Sequence, residues 1–308
     1  MENSTEFVSF VLAAYGNIGQ LRYLYFTMMI LWYISIVFAN TTLIVVICMN
    51  RRLHEPMYIF LCSLLVNEIY GSTTMYPLLM SQMFSDTHEV SLANCFTQIA
   101  FFYTSVSVEY CNLAAMAYDR YVSICYPLQY NVIMNTGRVC AIILFVWIYS
   151  IVNFSCIVYL MVHWRFCGNV IDKIYCDIDS LHTLACSVSA ASSFYGLVYA
   201  ISNAFVPFLF ISFSYIKILI ICLKTSKETK QKAISTCTPQ IAALVNFAIG
   251  CSFDIAQSRL DVTHVPDKLR ILLSVYLLIC QPILSPVMYG LNLSKIRDAC
   301  KRFLLYKK

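Results

Sequence analysis

Two carboxylates stand at the edges of stretches with no other charge: Glu68 precedes the run 69–85, and Glu109 follows the run 90–108. If such runs cross a bilayer, a carboxylate near mid-membrane costs roughly 2.5–3.5 kcal/mol on insertion scales. Groups like these therefore face the interior of a helix bundle and mark function there. Asp119 and Arg120 form a second charged pair at the end of the same apolar stretch. An arginine in that place either snorkels to the interface or is held by its neighbour as a resting latch. Catalytic constellations are missing from the sequence: there is no HExxH, no phosphate-binding loop and no GxSxG.

The elements that must position these residues are helices in a membrane. Of 308 residues, 60% are hydrophobic and 12% charged, far from the roughly 45–50% and 25% of a soluble domain. Residues 23–50, 69–85, 90–108, 139–164, 180–216, 233–253 and 271–294 contain no Lys, Arg, Asp or Glu. A helix needs roughly 20 apolar residues to cross the hydrocarbon core, so these are seven candidate spans. The run 180–216 is too long for one helix, and its first part is assigned to a loop. Residues 121–137 are uncharged too, but Pro127, Asn131, Asn135 and Gly137 mark a connection. The short polar–apolar alternation of a β-barrel is not seen.

With the N-terminus outside, fifteen of the 21 basic residues fall on the inner side, as the positive-inside rule requires. The net charge of +5 is thus a topology signal and no nucleic-acid footprint. Residues 1–22 carry Glu2 and Glu6 and lack the basic start of a cleaved leader, so the first span is expected to direct insertion. Asn3-Ser4-Thr5 is a glycosylation sequon on the outer tail, whereas those at Asn40 and Asn153 lie inside spans and are inert.

Of the fifteen cysteines, most lie within or beside spans, where they act as small apolar residues. Cys95, Cys167, Cys176 and Cys186 fall on the oxidising side. Four cysteines allow three pairings, among which the sequence does not choose. A bridge from Cys95 to the long outer loop would pin that loop across the bundle mouth.

Three strings carry a family resemblance: Leu53-His54-Glu55-Pro56-Met57-Tyr58-Ile59-Phe60-Leu61, then Met116-Ala117-Tyr118-Asp119-Arg120-Tyr121-Val122-Ser123-Ile124-Cys125-Tyr126-Pro127, and Lys232-Ala233-Ile234-Ser235-Thr236-Cys237. Over nearly its whole length the chain resembles the vertebrate odorant receptors, a branch of the rhodopsin-like G-protein-coupled receptors. It departs from their pattern at Glu68 (usually Asp), Gln240 (usually His), Ala248-Ile249 (usually Tyr-Gly) and Ser285 (usually Asn), which marks a divergent, fish-type branch.

The resemblance implies an all-α, seven-transmembrane bundle of one domain, 1–308, in the plasma membrane. Its helices are expected at 23–50, 57–84, 92–126, 137–161, 194–223, 232–259 and 268–291, with an amphipathic helix at 293–304 on the inner leaflet. It implies the pairs Cys95–Cys176 and Cys167–Cys186. It places the coupling switch at Asp119, Arg120, Tyr121, Tyr215, Pro286 and Tyr289, with the inner half of helix six swinging outward so that Arg120 turns toward Tyr215 and a heterotrimeric G protein. Pro207, Pro239 and Pro286 are candidate hinges. The resemblance brings Glu68 and Glu109 together beside Asn40 and Ser285. Two adjacent carboxylates repel, so one holds a proton or a cation such as sodium sits between them.

A small-molecule odorant is expected in the outer half of the bundle, lined by Phe102, Tyr103, Val106, Ser107, Tyr199, Asn203, Cys251, Ile255 and Val275, with Arg259 available to an anionic group. The helix-three positions follow i, i+1, i+4, i+5 on one face. The partner expected is a stimulatory G protein raising cyclic AMP. A non-olfactory small-molecule receptor is the nearest alternative, although the Asp that amine receptors place near Phe102 is missing. A transporter would show internal repeats, and none is found.

Overall fold

The computed structural model describes residues 9–15, 19, 21–224, 227–259 and 267–305, with backbone alone in 227–230, 232–236, 254–259, 267–275, 277–278 and 303–305. Several of its helices begin where the sequence supplies an acceptor, or removes a donor, for the free N–H groups of a first turn. The first span, α1 (Leu21–Met49), ends in a short turn at Arg51–Leu53, and Pro56 opens α2 (Pro56–Gln82), where its missing N–H costs nothing. The Ser91 hydroxyl accepts from Asn94 N at the head of α3 (Leu92–Cys125). A single turn, α4 (Tyr130–Ile133), crosses the inner face before Asn135 caps α5 (Thr136–Val162).

Asp177 caps a short outer helix, α6 (Ile178–Leu184), and Ser189 caps α7 (Ala190–Ala200). A π-helical turn at Ile201–Phe205 joins α7 to α8 (Val206–Leu223), and together they make the fifth span. That span starts four residues before the expected 194 because Ser189 supplies its cap; the expectation followed apolar pattern alone. The last elements are α9 (Lys227–Arg259), α10 (Asp267–Asn292) and α11 (Ser294–Leu305). Here α9 starts ahead of residue 232, as good helix formers such as Lys, Glu and Gln carry it beyond the apolar segment.

By length and composition, α1, α5 and the α7–α8 span are apolar enough to cross a membrane unaided. The other spans carry polar residues that the bundle turns inward: Asn67, Glu68, Glu109, Asn112, Gln240, Asn246, Gln281 and Ser285 are all buried. Large apolar side chains such as Leu31, Phe38, Phe145, Tyr159, Phe208 and Phe210 are exposed instead, an inversion that suits lipid as the solvent.

The outer loops form small sheets that the sequence reading did not contain. The strand β1 (Ser9–Leu12) pairs antiparallel with β2 (Glu89–Ser91) and parallel with β4 (Val170–Ile171), while β3 (Arg165–Phe166) pairs with β5 (Ala185–Ser187). Strands of two to four residues paired across the chain leave no local periodicity to read. Of the three pairings open to the outer cysteines, the structure has Cys95–Cys176 and Cys167–Cys186. The first ties the loop to α3, and Gln98 Oε1 accepts from Cys176 N at 3.1 Å beside it. A buried ion pair, Lys173 Nζ to Asp177 Oδ2 at 2.8 Å, stiffens the same stretch.

Among the described residues, two large apolar cores and a smaller cluster of Ile218, Cys222 and Cys237 result. The outer one packs Phe10, Leu12, Tyr175 and Leu181 of the loops on Phe96, Ile99, Phe102 and Phe154 of the bundle. The inner one joins Leu43, Leu61, Leu113, Met116 and Tyr289 to Ile296 and Ala299 of α11. Leu293, just before α11, and Ile296 and Ala299 within it are buried at a spacing of three while Lys295, Arg297, Lys301 and Arg302 stay exposed, which makes the helix amphipathic.

Candidate functional site

Proline shapes the middle of the bundle. Pro286 has no N–H to give the carbonyl four residues earlier, so Pro282 O is left without its helical donor. Asn40 Nδ2 fills that vacancy from α1 at 2.9 Å and also reaches Ile36 O at 2.9 Å. Asn40 is thus committed as a donor that pins α1 to α10. It does not line the cavity beside the two acids, where it was expected as an ion ligand.

The acids do come together. A cavity of about 40 Å³ is lined by Glu68, Gly71 and Ser72 of α2, Phe102, Ser105, Val106 and Glu109 of α3, Phe247 of α9, and Gln281 and Pro282 of α10. It is large enough for a water-sized guest. Gly71 matters at this spot, because a Cβ there would run into the Ser105 hydroxyl, so its absence lets α2 approach α3. Ser285 Oγ donates to Glu68 Oε1 at 2.8 Å. Glu109 accepts at both oxygens, from Asn67 Nδ2 at 3.1 Å and from Gln281 Nε2 at 2.8 Å. Gln281 in turn accepts from Asn246 Nδ2, and Asn246 Oδ1 accepts from the Tyr276 hydroxyl at 2.6 Å. Ser72 Oγ, Asn40 Oδ1 and Asn67 Oδ1 are buried without a hydrogen-bond partner among the described residues.

Below this belt lies the charged latch. Arg120, 9% exposed, donates to Asp119 Oδ2 from Nε at 3.1 Å and from its terminal nitrogen. The other carboxylate oxygen of Asp119 accepts from the Tyr130 hydroxyl at 2.8 Å. Burial and the Asp119 carboxylate push the Tyr130 phenol up from its ordinary value, which keeps it a donor. The hydroxyls of Tyr215 and Tyr289 are buried nearby with no partner among the described residues. Tyr121 faces the other way, stacking its ring edge on Phe213 and Tyr126. Gln240, in the place of the expected His, donates from Nε2 to Leu113 O at 2.8 Å and fastens α9 to α3 beside Pro239.

The expected ligand-binding residues divide. Phe102 and Val106 line the cavity, and the ring of Phe102 meets Tyr175 of the outer loop at 5.8 Å. Ser107 Oγ instead donates to Asn203 Oδ1 at 2.6 Å and shares a hydrogen bond with Ser150 at 2.9 Å. Tyr103 and Tyr199 both pack on Phe154 of α5. Cys251 is half-buried against the inner core. The side chains of Ile255, Arg259 and Val275, and the sequon residue Asn3, lie outside the described residues. Sequence reasoning assigned no role to Tyr130, Asn67, Ser72, Gln281, Asn246 or Tyr276. Polar side chains inside apolar spans were the available signal for most of them.

The arrangement has the parts of a two-state transducer: a small polar chamber above, an arginine latch below, and a tie from α9 to α3 between them. A family model described as olfactory receptor matches residues 28–307. The chain is 30% identical to human olfactory receptor 10A3 over 298 residues, covering 96% of this chain and 94% of that one. It is 32% identical to human olfactory receptor 6B1, covering 98% and 96%, and 33% identical to mouse olfactory receptor 8G17, covering 88% and 89%. The crystal structure of squid rhodopsin superposes with a TM-score of 0.73 at 16% identity, covering 92% of this chain and 86% of that one, which speaks to the fold.

Proposed function

The chain belongs to the olfactory receptor family, and from that premise we propose that it raises cyclic AMP through a stimulatory G protein when an odorant enters the outer half of the bundle. As a member it is an odorant-binding, G-protein-coupled receptor of the plasma membrane with seven spans, and not an enzyme. The observation that carries the coupling reading is the closed latch, in which Arg120 is buried and held by Asp119, itself held by Tyr130. The unpartnered hydroxyls of Tyr215 and Tyr289 give a released Arg120 somewhere to go. Release requires the Gln240–Leu113 tie to part as α9 moves outward. The exposed basic residues Lys224, Arg297 and Lys301 present an inner face suited to anionic lipid and to the G protein.

The acid pair is read as a site for one sodium ion or one proton that favours the resting arrangement. Its support is the unpartnered Ser72 hydroxyl on a chamber that already holds two carboxylates. Glu68, Glu109 and Ser72 would hold a cation there, with Ser285 steadying Glu68. An odorant shifts the population only by binding the active arrangement more tightly than the resting one. Arg259 remains the candidate partner for an anionic odorant, and Asn3 the candidate glycosylation site.

The test is a cyclic-AMP assay in cells expressing the chain, against pools of volatile and water-soluble odorants that include carboxylates. Arg120→Ala, matched for surface expression, is expected to abolish the response. A response that survives in Arg120→Ala, or a ligand-gated current in its place, would overturn the reading.

A further inference from the structure

The outward side of α9 is dented. Thr238, Ile241, Ala242, Val245, Asn246 and Ile249 line a groove of about 380 Å³. Their spacing of three and four residues sets them on one face of the helix. Ile241, Val245 and Ile249 are 44%, 53% and 40% exposed, so on a spanning helix this face meets lipid. Ala242, the smallest of the six, sits among them and leaves the room.

Asn246 is the polar exception. It is buried at the edge of the groove and turned toward α10, where Nδ2 donates to Gln281 Oε1 and Oδ1 accepts from the Tyr276 hydroxyl at 2.6 Å. An asparagine amide has two N–H groups and an oxygen with two lone pairs. One of each therefore has no partner among the described residues. Unfilled polar groups cost stability in an apolar medium.

Depth decides what can fill them. The uncharged run 233–253, wound as a helix, spans about 31 Å, the thickness of the hydrocarbon core. Asn246 lies about 4.5 Å along the axis from the middle of that run. Phospholipids and sterols keep their oxygens at the membrane surface, so near the midplane they offer only hydrocarbon. A small apolar molecule that dissolves whole in the bilayer can carry an oxygen to this depth.

We propose that the groove is a second binding site, filled from the bilayer by a small apolar molecule with one hydroxyl or carbonyl oxygen, which Asn246 recognises. A ketone or aldehyde accepts from the remaining N–H, and an alcohol also donates to the remaining lone pair. The volume falls at the lower end of small-molecule sites, roughly 300–1,000 Å³. Gln281 also lines the chamber beside the two acids, so an occupant of the groove adds a partner to the Asn246–Gln281 tie between α9 and α10. The site is separate from the ligand position in the outer half of the bundle, and it rests only on this face of α9 meeting lipid.

Photolabelling of the purified receptor in lipid nanodiscs tests it, with a medium-chain aliphatic alcohol that carries a diazirine. Label located by mass spectrometry should concentrate on residues 238–249 and saturate. The unlabelled alcohol and the matching ketone should compete about fivefold better than the alkane of equal length, the ratio that one hydrogen bond within a membrane supports. In Asn246→Leu that preference should vanish. Should Asn246→Leu fail to fold, Ala242→Phe fills the dent from the lipid side, leaves every hydrogen bond in place and should remove the label. Label spread equally over the lipid faces of α1 and α5, competition by the alkane equal to that by the alcohol, or undiminished label in Ala242→Phe would each overturn the site. Displacement of the probe by a sterol added to the nanodisc would give the groove to a bilayer lipid and overturn the occupant assigned here.

Discussion

The latch around Arg120 depends on a hydroxyl from another element. With Tyr130→Phe, Oδ1 of the buried Asp119 loses its donor among the described residues, since Arg120 donates to Oδ2. A hydrogen bond to a charged group contributes about 1.5–3 kcal/mol, and its loss weakens the resting state selectively. Ligand-independent cyclic AMP should therefore rise in Tyr130→Phe at matched surface expression. Unchanged basal signalling would show that Asp119 needs no second partner. The pH behaviour follows from the raised phenol. A tyrosine whose folded value lies above 10.0 contributes fully below that value, and the contribution is lost only as pH climbs through the raised one. Through Tyr130, basal activity should be flat across the neutral range.

At the scale of elements, the two disulfides close loops of unequal length, with sequence separations of 81 and 19. Chain-entropy estimates give about 4.5 kcal/mol for the longer and about 3 kcal/mol for the shorter. Cys176→Ser should lower the unfolding temperature of the purified receptor more than Cys186→Ser; the reverse order would mean that the loop is held by its packing on α3. Between α9 and α3, the Gln240–Leu113 bond is the tie that an outward swing must break. Gln240→Leu removes about 1 kcal/mol, close to a fivefold gain in the active population, readable as raised basal cyclic AMP. A lowered basal signal would place the moving element elsewhere.

At the scale of the molecule, the described residues form an outer and an inner packed core around a polar middle, with a smaller apolar cluster between α8 and α9. Apolar cores are hard to deform gradually, whereas the middle layer offers alternative hydrogen bonds at little cost, so a guest in the chamber can bias the whole bundle. Replacing external sodium by choline should raise basal cyclic AMP in the intact receptor, and Glu68→Gln should remove that dependence. A wild-type receptor indifferent to the exchange would leave a proton as the chamber's guest. A dependence kept in Glu68→Gln would remove Glu68 from the site.

Much of this molecule is legible in the sequence alone. Uncharged runs mark the spans, because a bilayer cannot solvate unpaired charge, and basic residues orient them. The strings around Pro56, Asp119-Arg120 and Cys237 carry the family. The outer sheets were invisible, since pairing such as Phe10 with Val90 depends on where distant loops meet. So was the role of Asn40: its partner, Pro282 O, lies 242 residues away and is orphaned by Pro286 on the same helix. The sequence also put Ser107 and Asn203 on the ligand face, and only the structure shows them bonded to each other. Periodicity tells which way a side chain points along its own helix. What it meets is decided by the neighbouring helix, and that is a property of the packed bundle alone.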